Sequence, residues 1–165
     1  MNEIDEVELN VPPATPAKLR SVYVASSWRN LLQPAVVAAL RAMGLDVYDF
    51  RNPGPGEHGF SWQSIHPNWL GWTPEQWREA LRHPIAQAGY ASDRSGMDRA
   101  DCCVLVLPCG RSAHLEAGFM AAQGKPVFTL ALGRVEPDLM HLLLGPPENI
   151  CCTMNELFDR LNLPN

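Results

Sequence analysis

The stretch VLVLPCGRSAHLEAGFMAAQGKPVFTL, residues 104–130, decides the fold. An apolar run too short for a core helix gives way to a polar loop. A segment rich in small residues follows at helical spacing, and GKP separates it from a second apolar run. Strand, helix, strand with short links is the pattern of a βαβ unit and a parallel sheet. The spacing predicts a strand over 101–108, a helix over 112–124 and a strand over 125–132, with Ser112 as N-cap and Gly124 as the helix stop. Leu115, Phe119 and Ala122 mark an apolar stripe on that helix. Ala113, Ala117, Gly118 and Ala121 let it approach other backbone closely. One carboxylate, Glu116, sits beside the stripe in the first turn. Two readings of it stay open. It is a surface acid favoured by the helix dipole by ~0.3–1 kcal/mol, or a carboxylate aimed into a ligand crevice.

The same alternation extends outward. RSVYVAS (20–26) reads as a strand buried on both faces. LQPAVVAALRAMG (32–44) reads as a helix, with Pro34 in its first turn and Gly44 as its stop. LDVYDF (45–50) is a second strand. TPEQ (73–76) opens a helix through a capping box, with Thr73 as N-cap and Gln76 three residues on. That helix breaks near Pro84, and a second piece runs over 85–100. After 132 come a short helix over 137–144, an edge strand over 148–152 and a final helix over 153–162. The expected fold class is α/β: a doubly wound, mainly parallel five-stranded sheet with helices on both faces, flavodoxin-like or Rossmann-like. In such sheets ligands bind beyond the carboxyl ends of the strands, where ASSWRN and CGRSAHLE would lie.

Residues 51–72, RNPGPGEHGFSWQSIHPNWLGW, interrupt the alternation. A loop this long inside a compact domain is functional or disordered, and three Trp argue against disorder. It is a lid that packs its own rings, or one whose aromatics, Trp62 among them, also stack on a flat ligand.

At 165 residues the chain fits one domain, 19–165, after a flexible N-terminal arm over 1–18. The arm is acidic and then Pro-rich, without the basic and apolar regions of a signal peptide. No apolar run nears the ~20 residues of a membrane span. A net charge of −5 without a Lys/Arg run argues against a nucleic-acid polymer or an anionic membrane as partner. The Cys residues are odd in number and none stands in CxxC spacing; four fall in expected strands and read as reduced, buried thiols, consistent with a cytoplasmic location. The His residues are scattered, so no metal or other cofactor is expected.

Other groups carry paired readings. Ser26, Ser27 and Arg29 follow the first strand, as an ordinary cap with a surface Arg or as an anion site. Asp93 lies in SDRSGMDRAD, a solvated helix face or a site acid. Asp101 reads as a turn residue or a site acid. Cys109 beside Gly110 and Arg111 lacks the longer loop that a phosphatase-type thiol needs.

Taken in order, these pieces resemble a family. A tyrosine follows the start of the first strand, and Ser and Arg lie just beyond it. An Asp precedes by eight residues the Ala-Asp that opens an apolar strand. A Glu-Ala-Gly helix then ends in Gly-Lys-Pro-Val. Over roughly 20–145 the chain resembles the nucleoside 2-deoxyribosyltransferase superfamily, including its 2′-deoxynucleoside 5′-monophosphate N-glycosidase branch. The resemblance implies cleavage of an N-glycosidic bond in a small-molecule nucleoside or nucleotide, by hydrolysis or base transfer. It implies Glu116 as nucleophile, Tyr23 as its orienter and Asp93 as the acid that meets the base. It implies Ser27 and Arg29 as phosphate contacts; Ser26, Gly110, Arg111 and Ser112 beside them are further candidate substrate contacts. PDLMHLLLG, with Met140, resembles the segment that completes a neighbouring subunit's site, which implies a homodimer or larger homo-oligomer. Gly110 stands where relatives usually have Asp or Ser, and Asp138 where they have a neutral residue; an acid there would repel a monophosphate. Two other functions fit the residues. One is an NAD-type glycohydrolase with the Trp loop stacking on a base. The other is a noncatalytic nucleotide-binding sensor on the same scaffold.

Overall fold

The computed structural model describes residues 19–163; the expected arm over 1–18 lies outside the described residues. Five strands form one sheet: β1 (Ser21–Ala25), β2 (Asp46–Asp49), β3 (Cys102–Val106), β4 (Val127–Leu130) and β5 (Ile150–Cys151). Their order is β2-β1-β3-β4-β5 and every pair is parallel. This is the doubly wound order of flavodoxin, with its switch point between β1 and β3.

The core divides by strand parity, because alternate side chains leave opposite faces. Val22, Val24, Val104, Val106, Phe128 and Leu130 pack under α1 (Gln33–Ala42) and α5 (Met154–Arg160). Tyr23, Ala25, Cys103, Leu105 and Val127 pack under α3 (Pro84–Arg99) and α4 (Arg111–Ala122). β1 and β3 are buried on both faces, which is why they read as continuous apolar runs. α2 (Pro74–Ala80) has the expected capping box of Thr73 and Gln76, and Pro84 opens α3 as a separate helix. Gly44 and Gly124 adopt φ of +83° and +76°, left-handed turns that end α1 and α4 where the sequence placed their stops.

Several expectations are corrected. The N-cap of α4 is Gly110, in extended conformation, and the helix begins at Arg111. Ser112 therefore lies inside the first turn, and Glu116 falls in the second. The buried face of α4 is Ala113, Ala117 and Met120, whereas Leu115 and Ala122 are exposed. The small residues, not the large ones, let this helix sit on the sheet. The segment over 137–144 is a 3₁₀ helix, Leu139–Leu143, and β5 is two residues long. Cys152 lies past β5 and is exposed, so three thiols, Cys102, Cys103 and Cys151, are buried rather than four. Residues 51–72 contain two 3₁₀ turns, Trp62–Ser64 and Trp69–Gly71.

Candidate active site

Tyr23 on β1, Tyr48 on β2, Asp93 on α3 and Glu116 on α4 meet on one face of the sheet. The β1–β2 register sets Tyr23 directly beside Tyr48. Their rings stack at 5.2 Å between centroids and 8° between planes. Tyr48 Oη donates to Asp93 Oδ1 at 2.9 Å and lies 2.9 Å from Ser92 Oγ. Gly96, one turn further along α3, makes room for this ring; a Cβ there would come within 2.6 Å of it. Tyr23 Oη is buried and has no hydrogen-bond partner of standard geometry among the described residues. It nonetheless acts on Glu116, favouring the charged carboxylate.

The electrostatics are those of a half-buried acid pair. Burial pushes the Glu116 carboxyl up to about 8; the charge of Asp93 adds to the rise and the Tyr23 hydroxyl opposes it. Burial also raises Asp93, against the hydrogen bond from Tyr48. Tyr23 is raised well above the ordinary phenol range, first by burial and then by Glu116 and Asp93, so it stays a protonated donor. Two interacting carboxyls titrate as a pair, and near neutral pH they share a proton.

The β1–α1 loop borders this centre. Ser26 Oγ donates to Val106 O at 2.9 Å. Asn30 Nδ2 donates to Val106 O and Pro108 O, binding the loop to the end of β3 across the switch point. Arg51 closes the other side: one guanidinium nitrogen reaches the carbonyls of Ser27, Trp28 and Asn30 at 2.9–3.0 Å. The same guanidinium lies over the Trp28 ring, 5.5 Å from its centroid. Ser27 Oγ accepts from Arg29 N at 3.2 Å, and the Arg29 side chain is exposed. Gly110, Arg111 and Ser112 are exposed at the start of α4. No ion pair among the described residues engages Arg29 or Arg111.

The remaining candidates stand apart. Trp62 is half-buried and packs edge-on against Phe60 (4.7 Å) and Trp72 (5.6 Å), so its ring serves the loop's own cluster. Phe60 rests on Gly89 of α3, which anchors that cluster. Asp138 caps the Leu139–Leu143 turn by accepting from Met140 N at 2.8 Å. Among the described residues no hydrogen bond joins Asp138 or Met140 to Glu116. Met140 is exposed beside Leu139, Leu142 and Leu143. Asp101 is a structural acid, accepting from the amides of Arg20 and Ser21 at 2.8 and 2.9 Å. Cys109 is pushed up to about 11, first by burial and then by Glu116, which leaves it a poor nucleophile.

Sequence reasoning passed over Tyr48, Asn30 and Arg51. Strand alternation in DVYD, with β2 placed beside β1, was the available signal for Tyr48. Nothing local marks Arg51, whose partners are backbone carbonyls over twenty residues away.

Among the described residues no cluster of three metal-ligating side chains occurs, and no helix is long and apolar enough to cross a membrane. No family model and no curated protein matches the chain. Among solved structures it is similar to a 2-deoxyribosyltransferase from the psychrotolerant bacterium Bacillus psychrosaccharolyticus, at 19% identity and a TM-score of 0.47, over 73% of this chain and 78% of that one.

Proposed function

We propose that this chain cleaves the N-glycosidic bond of a nucleoside or nucleotide, with Glu116 as nucleophile, Tyr23 as its orienter and Asp93 as the base-side acid. One observation carries the reading: two half-buried carboxyls from different helices lie close enough to one buried tyrosine, on a strand at the sheet's switch point, for both charges to act on it. Breaking the bond develops positive charge at C1′. A carboxylate on one face of the sugar captures C1′ as the bond to the base breaks, giving a glycosyl ester. The departing nitrogen takes a proton from Asp93. Water, deprotonated in turn by Asp93, then opens the ester, or a second base displaces Glu116. Ser26, Ser27 and Arg29 hold the sugar's 5′ side, joined there by Arg111 or Ser112. The exposed Leu139–Leu143 turn, with Asp138 and Met140, supports a homodimer in which this segment borders the partner's site. The internal packing of Trp62 supports a packing role for the Trp-rich loop rather than stacking on nicotinamide or adenine.

The test incubates wild type and Glu116→Ala with nucleosides, nucleoside monophosphates and NAD. Wild type is expected to release purine or pyrimidine, and the variant to be slower by about 10³-fold or more, as for loss of a covalent nucleophile. Base release at the wild-type rate by the variant would remove Glu116 from the role. Free nicotinamide as the product would favour the NAD-type reaction. Tight binding without turnover, unaffected by the substitution, would favour a sensor.

A further inference from the structure

We propose that Tyr48 is a positioning residue for the base-side acid: its hydroxyl claims one oxygen of Asp93 while its ring, stacked on Tyr23, ties that acid to the nucleophile's orienter. This rests on the nucleoside-cleaving reading and adds to it a residue outside the expected set.

Proton accounting carries the argument. A tyrosine hydroxyl has one proton to give. It goes to Asp93 Oδ1, which accepts it at 2.9 Å. Ser92 Oγ, at 2.9 Å, must then donate to Tyr48 Oη. The chain runs from Ser92 to Tyr48 to Asp93 Oδ1. No hydrogen bond among the described residues engages Asp93 Oδ2. Oδ2 is therefore the oxygen that carries a transferable proton, and Tyr48 decides which oxygen that is. A donor to Oδ1 also keeps Asp93 a stronger acid than burial alone would leave it.

The ring is fixed from both sides. Tyr23 stacks on one face at 5.2 Å, and Gly96 admits the ring against α3, where any side chain would collide with it. The ionisable groups acting on Asp93 and Tyr48 are Tyr23 from β1, Glu116 from α4 and Arg99 from α3. None of these donates to Asp93 in place of Tyr48.

Tyr48→Phe keeps the ring and the stack and removes only the hydroxyl. The Asp93 carboxyl is followed by carbon-13 NMR in wild type and in Tyr48→Phe, its signal assigned by its loss in Asp93→Asn. The expected result is an Asp93 pKa raised by about one pH unit in Tyr48→Phe, the size of one lost donor. On the nucleoside or nucleotide that wild type cleaves, kcat is expected to fall about tenfold with KM changed less than twofold. In an Asp93→Asn background the same substitution should cost nothing further. An Asp93 titration unmoved by Tyr48→Phe, or an equal loss in both backgrounds, overturns the positioning role while leaving the nucleoside-cleaving reading intact. A wild-type protein that cleaves no member of the panel overturns that reading and the role with it.

Discussion

Replacing Glu116 by Gln tests whether the carboxyl is buried as an acid. The ordinary glutamate value is 4.5, and the folded chain raises it to about 8. Between those two pH values the folded chain keeps a proton that the unfolded chain has released. The stability associated with protonated Glu116 is full below pH 4.5 and declines by ~1.4 kcal/mol per pH unit until it levels off above about 8. The decline totals on the order of 4–5 kcal/mol, a large share of the ~5–15 kcal/mol that holds a domain folded. Gln has the shape of the protonated acid and no ionisation to lose. It also removes the charge that repels Asp93, which acts in the same direction. Urea unfolding of both proteins at several pH values, with equal slopes, gives the difference directly. The two should be nearly equally stable near pH 5, and the Gln variant should be the more stable by several kcal/mol near pH 9. A difference that stays flat across that range would refute the buried-pair reasoning.

Other substitutions probe the frame around the pair. Asp101→Ala removes the acceptor for the Arg20 and Ser21 amides; because the carboxylate is exposed and solvent-screened, thermal unfolding should show a loss of about 1 kcal/mol. Those amides hold Asp101 below its ordinary value, so its support is present at neutral pH and disappears on acidification through that lowered value. Arg51→Met keeps the apolar stem but frees the carbonyls of Ser27, Trp28 and Asn30; calorimetry should show a stability loss of about 2 kcal/mol and weaker binding of a 5′-phosphorylated ligand than of its nucleoside. Iodoacetamide on the folded protein should modify Cys152, which is exposed, and spare Cys102, Cys103 and Cys151, as read by peptide mass spectrometry. Labelling of Cys103 at the rate of Cys152 would contradict a closed core.

The strands were legible because burial on both faces leaves a plain apolar run, as in VYVA and CCVLV; their order came with the structure. Helix stops were legible because Gly44 and Gly124 answer a local demand for positive φ. The start of α4 was misread because Ser112 satisfies the local preference for a cap, whereas Gly110 in extended conformation opens the helix without a side-chain bond. Its buried face was misread for a related reason. Large apolar residues draw the eye, but the space beside β1 and β3 admits Ala113 and Ala117 and leaves Leu115 in solvent. Asp93 looked solvated in its own segment. It is half-buried because Gly96 admits Tyr48, a residue 45 positions earlier that no local pattern connects to it.

The corrected start of α4 changes what can ionise the nucleophile. A carboxylate in the first turn would draw on the helix dipole, but that effect fades beyond it. Glu116 lies in the second turn, with Asp93 opposing its charge, and only Tyr23 favours that charge locally. In the free site near neutral pH the shared proton therefore resides mainly on Glu116. Under the proposed reading, the missing stabilisation comes from the sugar itself, as positive charge grows at C1′. The carboxylate's interaction is then weak with the neutral ground state and strong with the cationic transition state, which is the difference that raises a rate. It follows that kcat/KM belongs to the singly protonated pair, with the proton passed from Glu116 to Asp93, and should fall as pH rises past about 8, where the free site loses that proton and none is left for the departing base. Below the first step of the pair the rate should fall as well, because both carboxyls are then protonated and no carboxylate is free to attack. A rate independent of pH from 5 to 9, on a substrate wild type cleaves, would break the link between the buried pair and the chemistry.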